Sequence, residues 1–138
     1  MYVCIKSDLS ICEYLNTMEE INLRRAYTRF RIGMSPLRSR HLQFKTGSMV
    51  NRLCRFCKNC NETEVHFLFV CPEYSQIRND FIPPKYYRRP SKFRMCMLLR
   101  SSDNIRNRKT AIFICKALRV RQLLLGNQYV LYVYFSRN

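Results

Sequence analysis

The chain has 138 residues, 47% of them apolar, and sets 25 Lys and Arg against nine Asp and Glu for a formal charge of +16. That length and apolar content suit one domain with a core and exclude a chain kept disordered by its composition. The few acids are dispersed, so no cluster of carboxylates is available to hold the divalent ions that nucleotidyl transfer or nuclease chemistry needs.

The positive charge is unevenly spread. Residues 21–61 carry Arg24, Arg25, Arg29, Arg31, Arg38, Arg40, Lys45, Arg52, Arg55 and Lys58 without one acid. Residues 81–102 are again basic and acid-free, and nothing acidic follows Asp103. Such stretches point to a polyanion, because each Lys or Arg near a phosphate releases a condensed counterion. At the N-terminus Lys6, Asp8 and Glu13 interrupt any apolar signal region, and no run is long enough to span a membrane. An intracellular protein without membrane segments is expected, and in a reducing compartment the eight cysteines read as metal ligands or buried thiols rather than disulfides.

In chain order, residues 1–16 read as an N-terminal extension. Residues 17–32 then have helical spacing, with Leu23, Tyr27 and Phe30 on one face and Arg24 and Arg31 off it. Thr17 and Glu20 fit a capping box at its start, and Gly33 stops it. Ser35-Pro36 is a turn and Leu37–Phe44 a second short helix. After the cysteine cluster, Pro72 suits the first position of a helix lined by Tyr74, Ile77 and Phe81, which Pro83-Pro84 ends. Residues 17–82 thus form a unit of basic helix plus Cys/His segment. Residues 83–126 form a helical C-terminal region: a basic aromatic connector at 85–90, a helix at Lys92–Arg100, and a longer helix capped by Asp103 and ended by Gly126. Ala111–Cys115 is apolar almost all round, which requires burial or a partner. The tail, 127–138, holds a short strand candidate, YVLYVYF at 129–135. The fold class expected is mainly α, a small helical domain stapled by one metal site.

That site is the most specific signal. Cys54-x2-Cys57 supplies two thiolates from one tight turn, and His66 with Cys71 supplies a second pair eight residues on. Three thiolates and a neutral imidazole fill a zinc tetrahedron and leave no place for a reactive water, so one closed, structural Zn2+ is expected. Asn61 and Glu64 can start the helix that carries His66. Five residues separate His66 from Cys71, which an ideal helix would set about 140° apart, so the helix must end first. Pro72 disfavours the α conformation at Cys71 and gives the chain a reason to turn there. Cys60 keeps an alternative open, since Cys54, Cys57 and Cys60 offer three thiols for two places. Cys57 is favoured because Cys60 lies in the polar connection N-C-N-E-T. Cys4, Cys12, Cys96 and Cys115 read as small buried hydrophobes, and His41 as a lone surface residue.

The stretch Arg24–Phe81 resembles the zinc-binding segment at the C-terminal end of reverse transcriptases of non-LTR, LINE-like retrotransposons. The likeness lies in CRFCKNCNETEVHFLFVCPEYSQIR, with Cys-x2-Cys, Glu-Thr-x-x-His and Cys-Pro, and in the upstream YTRFRIGMSPLRSRHLQF. The resemblance implies the same four ligands and a role in handling RNA or DNA beside a polymerase. No Tyr-x-Asp-Asp sequence is present, so the expectation is a detached reverse-transcriptase tail without polymerase activity.

The function expected is therefore a non-enzymatic, zinc-stabilised nucleic-acid-binding module. Arg24, Arg25, Arg29, Arg31, Arg38, Arg40, Arg52, Arg55, Lys58, Lys85, Arg88 and Arg89 would contact phosphates, with Tyr86 and Tyr87 placed to stack on unpaired bases. The alternatives are a scaffold element docking a protein partner through residues 111–125, or a fragment without retained activity. A cysteine nucleophile at Cys57 or Cys60 is disfavoured, because His66 is committed as a ligand and no base is left over.

Overall fold

A computed structural model of the chain describes residues 11–37 and 53–125. Among these residues the fold is mainly helical, with no strand and one isolated antiparallel bridge between Leu53 and Asn61. All but Leu37 of the helix expected at 37–44, together with Cys4, His41, Gly126 and the strand expected at 129–135, lies outside the described residues. No helix among them is long and apolar enough to cross a membrane.

The helix expected at 17–32 starts only at Ile21, and a separate turn of helix lies ahead of it. A single turn, α1 (Tyr14–Thr17), is followed by an extended Met18, and α2 spans Ile21–Arg31. The capping box does not form. Thr17 Oγ1 donates to the Glu13 carbonyl at 3.2 Å, and the Glu20 carboxylate pairs with Arg108, distant in sequence. A local motif thus lost its acid to a long-range guanidinium. The other end of α2 follows expectation. Gly33 takes φ 76°, its N–H donates to the Phe30 carbonyl at 3.1 Å, and the Met34 N–H donates to the Arg29 carbonyl at 2.8 Å. This is a Schellman ending, which needs a left-handed residue where only Gly avoids a Cβ clash.

Beyond the Cys/His segment, Pro72–Tyr74 forms a 3-10 turn that runs into α3 (Ser75–Phe81). Ile82 is extended before Pro83, as the residue ahead of proline must be. Pro84 then opens a short helix, α4 (Pro84–Tyr87), where a connector was expected. Helix α5 (Lys92–Leu99) is capped by Ser91, whose Oγ accepts from the Arg94 N–H at 3.1 Å. Helix α6 (Asn104–Leu125) starts as expected, with Asp103 Oδ1 accepting from the Arg106 N–H at 3.1 Å.

Helix α6 is the central pillar, against which α1, α2 and α3 pack. Its apolar stretch is consumed internally: Ala111, Phe113, Ile114, Ala117 and Leu118 are all buried in the chain's own core. Of the apolar residues expected to dock a partner, Leu123 and Leu124 remain exposed. One core joins Tyr14, α2, the Cys/His segment and α6, across the boundaries drawn at residues 16 and 82. Polar anchors fix the packing. Tyr27 donates its hydroxyl to Asn107 Oδ1 at 2.8 Å in a buried contact that ties α2 to α6, and burial holds the Tyr27 phenol well above its ordinary range.

Candidate metal centre

Four side chains from three local structures meet at one point. The ligand atoms of Cys54, Cys57, His66 and Cys71 all lie within 4.8 Å of one another. These are the four residues that the sequence spacing singled out, and they lie close enough to hold a metal ion.

The first pair is held by a knuckle. The Cys54 N–H donates to the Cys60 carbonyl at 2.9 Å and the Lys58 N–H donates to the Cys54 carbonyl at 3.0 Å, which folds residues 54–60 back on themselves. The turn needs a left-handed residue, and Lys58 supplies it with φ 56°. A side chain with a Cβ is strained there by about 1–2 kcal/mol. Lys58→Gly is therefore expected to raise stability by roughly 0.5–1 kcal/mol in a thermal melt, after Gly's larger unfolded-state entropy is set against the relief.

The second pair solves the spacing problem in an unforeseen way. Thr63, rather than Asn61, opens the turn, its Oγ1 accepting from the His66 N–H at 3.1 Å. From His66 to Val70 the helix then widens into a π turn, closed by the Cys71 N–H donating to the His66 carbonyl at 2.8 Å. That bond spans five residues and stacks Cys71 over His66, where α geometry would have splayed them. At Cys71 the chain leaves the helix with ψ 123°, as Pro72 demands. Arg78 secures this exit from inside the core: its Nε donates to the Leu68 carbonyl and its Nη2 to the Cys71 carbonyl, both at 2.7 Å. The carbonyls left over at the end of a π turn thereby gain a charged, buried donor.

Two of the separations match those of a tetrahedral ion. With metal–sulfur bonds of about 2.3 Å and metal–nitrogen bonds of about 2.0–2.1 Å, tetrahedral geometry separates two sulfurs by about 3.8 Å and a sulfur from a nitrogen by about 3.5 Å. Cys54 Sγ and Cys71 Sγ are 3.9 Å apart, and Cys57 Sγ is 3.5 Å from His66 Nε2. The sulfurs are far beyond disulfide bonding distance, and every cysteine among the described residues is free.

The electrostatics suit a cation. Burial pushes the Cys71 thiol up to about 12, with the nearby Cys54 adding to it despite a backbone hydrogen bond at Glu73, so a positive ion is what would draw off its proton. For Cys57, burial is the largest single influence and raises the thiol. Hydrogen bonds from the Asn59 backbone, the Cys54 side chain and the backbone and side chain of Cys60 together outweigh it and leave Cys57 below its ordinary value. Burial likewise lowers His66, which favours the neutral imidazole a metal requires. Cys60 is not among the four. Its sulfur lies 2.9 Å from His66 Nδ1, whereas Cys57 faces Nε2, and burial and the neighbouring Cys57 thiol raise its own.

The site is bolted to the core. Phe56 of the knuckle meets Tyr74 edge-on at 6.0 Å between centroids, Tyr74 meets Phe67 at 5.0 Å, and Phe67 reaches Phe30 of α2 and Phe113 of α6 at 5.6 and 5.8 Å. Glu62, buried at 1% exposure, accepts from Arg121 Nη2 of α6 at 2.7 Å. No local pattern in the sequence signals this pairing, which joins residues 59 apart.

The basic residues divide sharply. Arg25, Arg55, Lys58, Lys85, Arg88 and Arg89 are exposed, and Arg29 is half-buried. Arg31 is 4% exposed, its guanidinium 4.8 Å from the Tyr14 ring centroid and 5.7 Å from that of Tyr27, so its assignment to phosphate contact is withdrawn. Arg24 is half-buried and donates to the Leu15 and Met18 carbonyls, which caps α1 and occupies its charge. Tyr86 is buried beneath Lys85 and Arg106 and cannot stack on a base. Tyr87 is half-buried and donates its hydroxyl to Asn79 Oδ1 at 2.9 Å. Arg38, Arg40 and Arg52 lie outside the described residues. Lys92, Lys109 and Arg119 are exposed cations as well. Comparisons with protein-family models, with curated proteins and with solved structures yield no match.

Proposed function

We propose that the chain is a zinc-stabilised, basic nucleic-acid-binding module, of the kind found as the C-terminal segment of LINE-like reverse transcriptases, and that it is not an enzyme. The observation that carries the zinc reading is the pair of separations, 3.9 Å between Cys54 and Cys71 sulfurs and 3.5 Å from Cys57 sulfur to His66 Nε2. Three thiolates and one imidazole favour zinc over harder ions and fill its four positions, which gives the metal a folding role rather than a catalytic one.

The nucleic-acid reading is supported by the +16 charge and by where the exposed cations sit. Arg55 and Lys58 are borne on the metal knuckle itself, so the ion would fix their spacing. Arg88 and Arg89 lie on the segment between α4 and α5, and Lys92 opens α5. With Tyr86 internal, backbone contact carries the binding more than base stacking does. Binding to single- and double-stranded RNA and DNA across a salt series tests this. Log affinity should fall against log salt with a slope of about −3 or steeper, as roughly four phosphate contacts give. Replacing Arg55, Arg88 and Arg89 together by Gln should flatten that slope by about 2. A slope near zero for every nucleic acid would refute the reading.

A further inference from the structure

Cys60 is left over when the four ligands are assigned, yet it is not idle. Its sulfur lies 2.9 Å from His66 Nδ1, while Nε2 of the same ring faces Cys57 at 3.5 Å. The first distance is shorter than the roughly 3.5 Å that separates sulfur and nitrogen bound to one tetrahedral ion, and it involves the wrong ring nitrogen for that ion. An imidazole that gives its Nε2 lone pair to a metal carries its proton on Nδ1, and that N–H needs an acceptor. Among the described residues, Cys60 Sγ is at hand.

We propose that Cys60 is the positioning residue of the metal centre: it accepts the Nδ1–H hydrogen bond of His66, fixes the ring tautomer with Nε2 toward the ion, and is not itself a ligand. This rests on the metal reading above and deepens it. The geometry explains why three cysteines crowd one short segment. Cys54 and Cys57 bind, and the same knuckle bond that joins the Cys54 N–H to the Cys60 carbonyl at 2.9 Å holds Cys60 against the imidazole. Sulfur is an uncommon acceptor for a ligand histidine, where a carboxylate or carbonyl is usual. Glu62, two residues from Cys60, is engaged with Arg121 instead.

The test uses the full chain loaded with Co2+, whose thiolate-to-metal charge-transfer band counts bound sulfurs, alongside Cys60→Ala and Cys60→Ser. Both variants should keep the band intensity of the parent chain. Cobalt affinity by chelator competition should fall about 10–100-fold in Cys60→Ala, the usual effect of losing an outer-shell partner, and should largely recover in Cys60→Ser, whose hydroxyl can accept the same proton. Loss of about one third of the band in both variants would make Cys60 a ligand and overturn the proposal. Undiminished affinity in Cys60→Ala would overturn it as well, while leaving the four-ligand site standing. A parent chain that binds no cobalt would overturn the site and the proposal together. Cys60 is half-exposed, so neither variant opens a core cavity, and far-ultraviolet dichroism of the loaded proteins should coincide.

Discussion

Removing the metal is expected to unfold the chain rather than loosen one loop. The ligand segment is not an appendage: Phe67, Leu68 and Phe69 lie between His66 and Cys71 and are all buried, and Tyr74 follows them into the core. Without the ion, the Cys54 and Cys71 thiols and the His66 imidazole are buried polar groups with little to hold the π turn closed. Structural zinc contributes on the order of 10 kcal/mol in small domains, comparable to the whole stability of a typical domain. Chelation should therefore lower the melting temperature by roughly 20 °C or more, at about 3–5 °C per kcal/mol for a chain of this size. Cys71→Ser should do much the same. Acid acts in the same direction. Burial depresses the His66 pKa below its ordinary 6.5, so the unfolded chain binds a proton that the folded chain refuses. Stability from this group is present above about pH 6.5 and is lost as pH falls below it, and proton competition for the thiolates adds to the loss. A melt unchanged by chelator at pH 7 would contradict this expectation.

The second large effect is expected at Glu62. Its carboxylate is buried and bonded to Arg121 Nη2 at 2.7 Å, and the Arg121 guanidinium also lies 6.0 Å from the Phe56 ring. Glu62→Ala leaves a buried guanidinium without its counter-charge, a change that costs about 3–5 kcal/mol where such pairs have been broken. Arg121→Met in the same chain should restore most of that loss, since an apolar pair of similar volume is often neutral or better. Urea midpoints of the two single variants and the double variant measure the coupling. Metal stoichiometry should stay at one throughout, because Glu62 holds the knuckle against α6 and does not bind the ion. A single variant within about 0.5 kcal/mol of the parent would show that the pair does not bind the knuckle to α6.

What the sequence made legible, and what it hid, follow from the range of the forces involved. Cys54, Cys57, His66 and Cys71 were readable because ligand chemistry admits few residue types at few spacings. The ends of α2 at Gly33 and of α6 at Asp103 were readable because each is decided by one residue's own backbone or side chain. Buried charge satisfied through tertiary partners was not legible, and at Arg31 it was misread as a phosphate contact. Arg31 is held by the faces of Tyr14 and Tyr27, Arg78 by carbonyls of the π turn, and Arg121 by Glu62. None of these contacts leaves a periodic trace. The capping box at Thr17 failed for the same reason, its acid having been taken by Arg108. The π turn was hidden by the assumption of 3.6 residues per turn, although the five-residue spacing of His66 and Cys71 already conflicted with it.

The metal site also accounts for an otherwise awkward piece of backbone. A left-handed Lys58, a π turn and a buried Arg78 are each unfavourable alone, and each serves to aim one ligand. Strain of this sort persists where the surrounding structure over-determines it, which is the mark of a site rather than a loop.

The central claim is that one zinc ion is held by three sulfurs and one histidine nitrogen with no water in its shell. The X-ray absorption fine structure of the zinc-loaded chain at the metal edge measures this directly. Three sulfur scatterers at about 2.3 Å and one nitrogen at about 2.0 Å, with the outer-shell pattern of an imidazole ring, are the expected result. Four sulfurs would replace His66 by Cys60 as the ligand. Two sulfurs with two or more light atoms would mean an open, water-bearing site, and either outcome would contradict the claim.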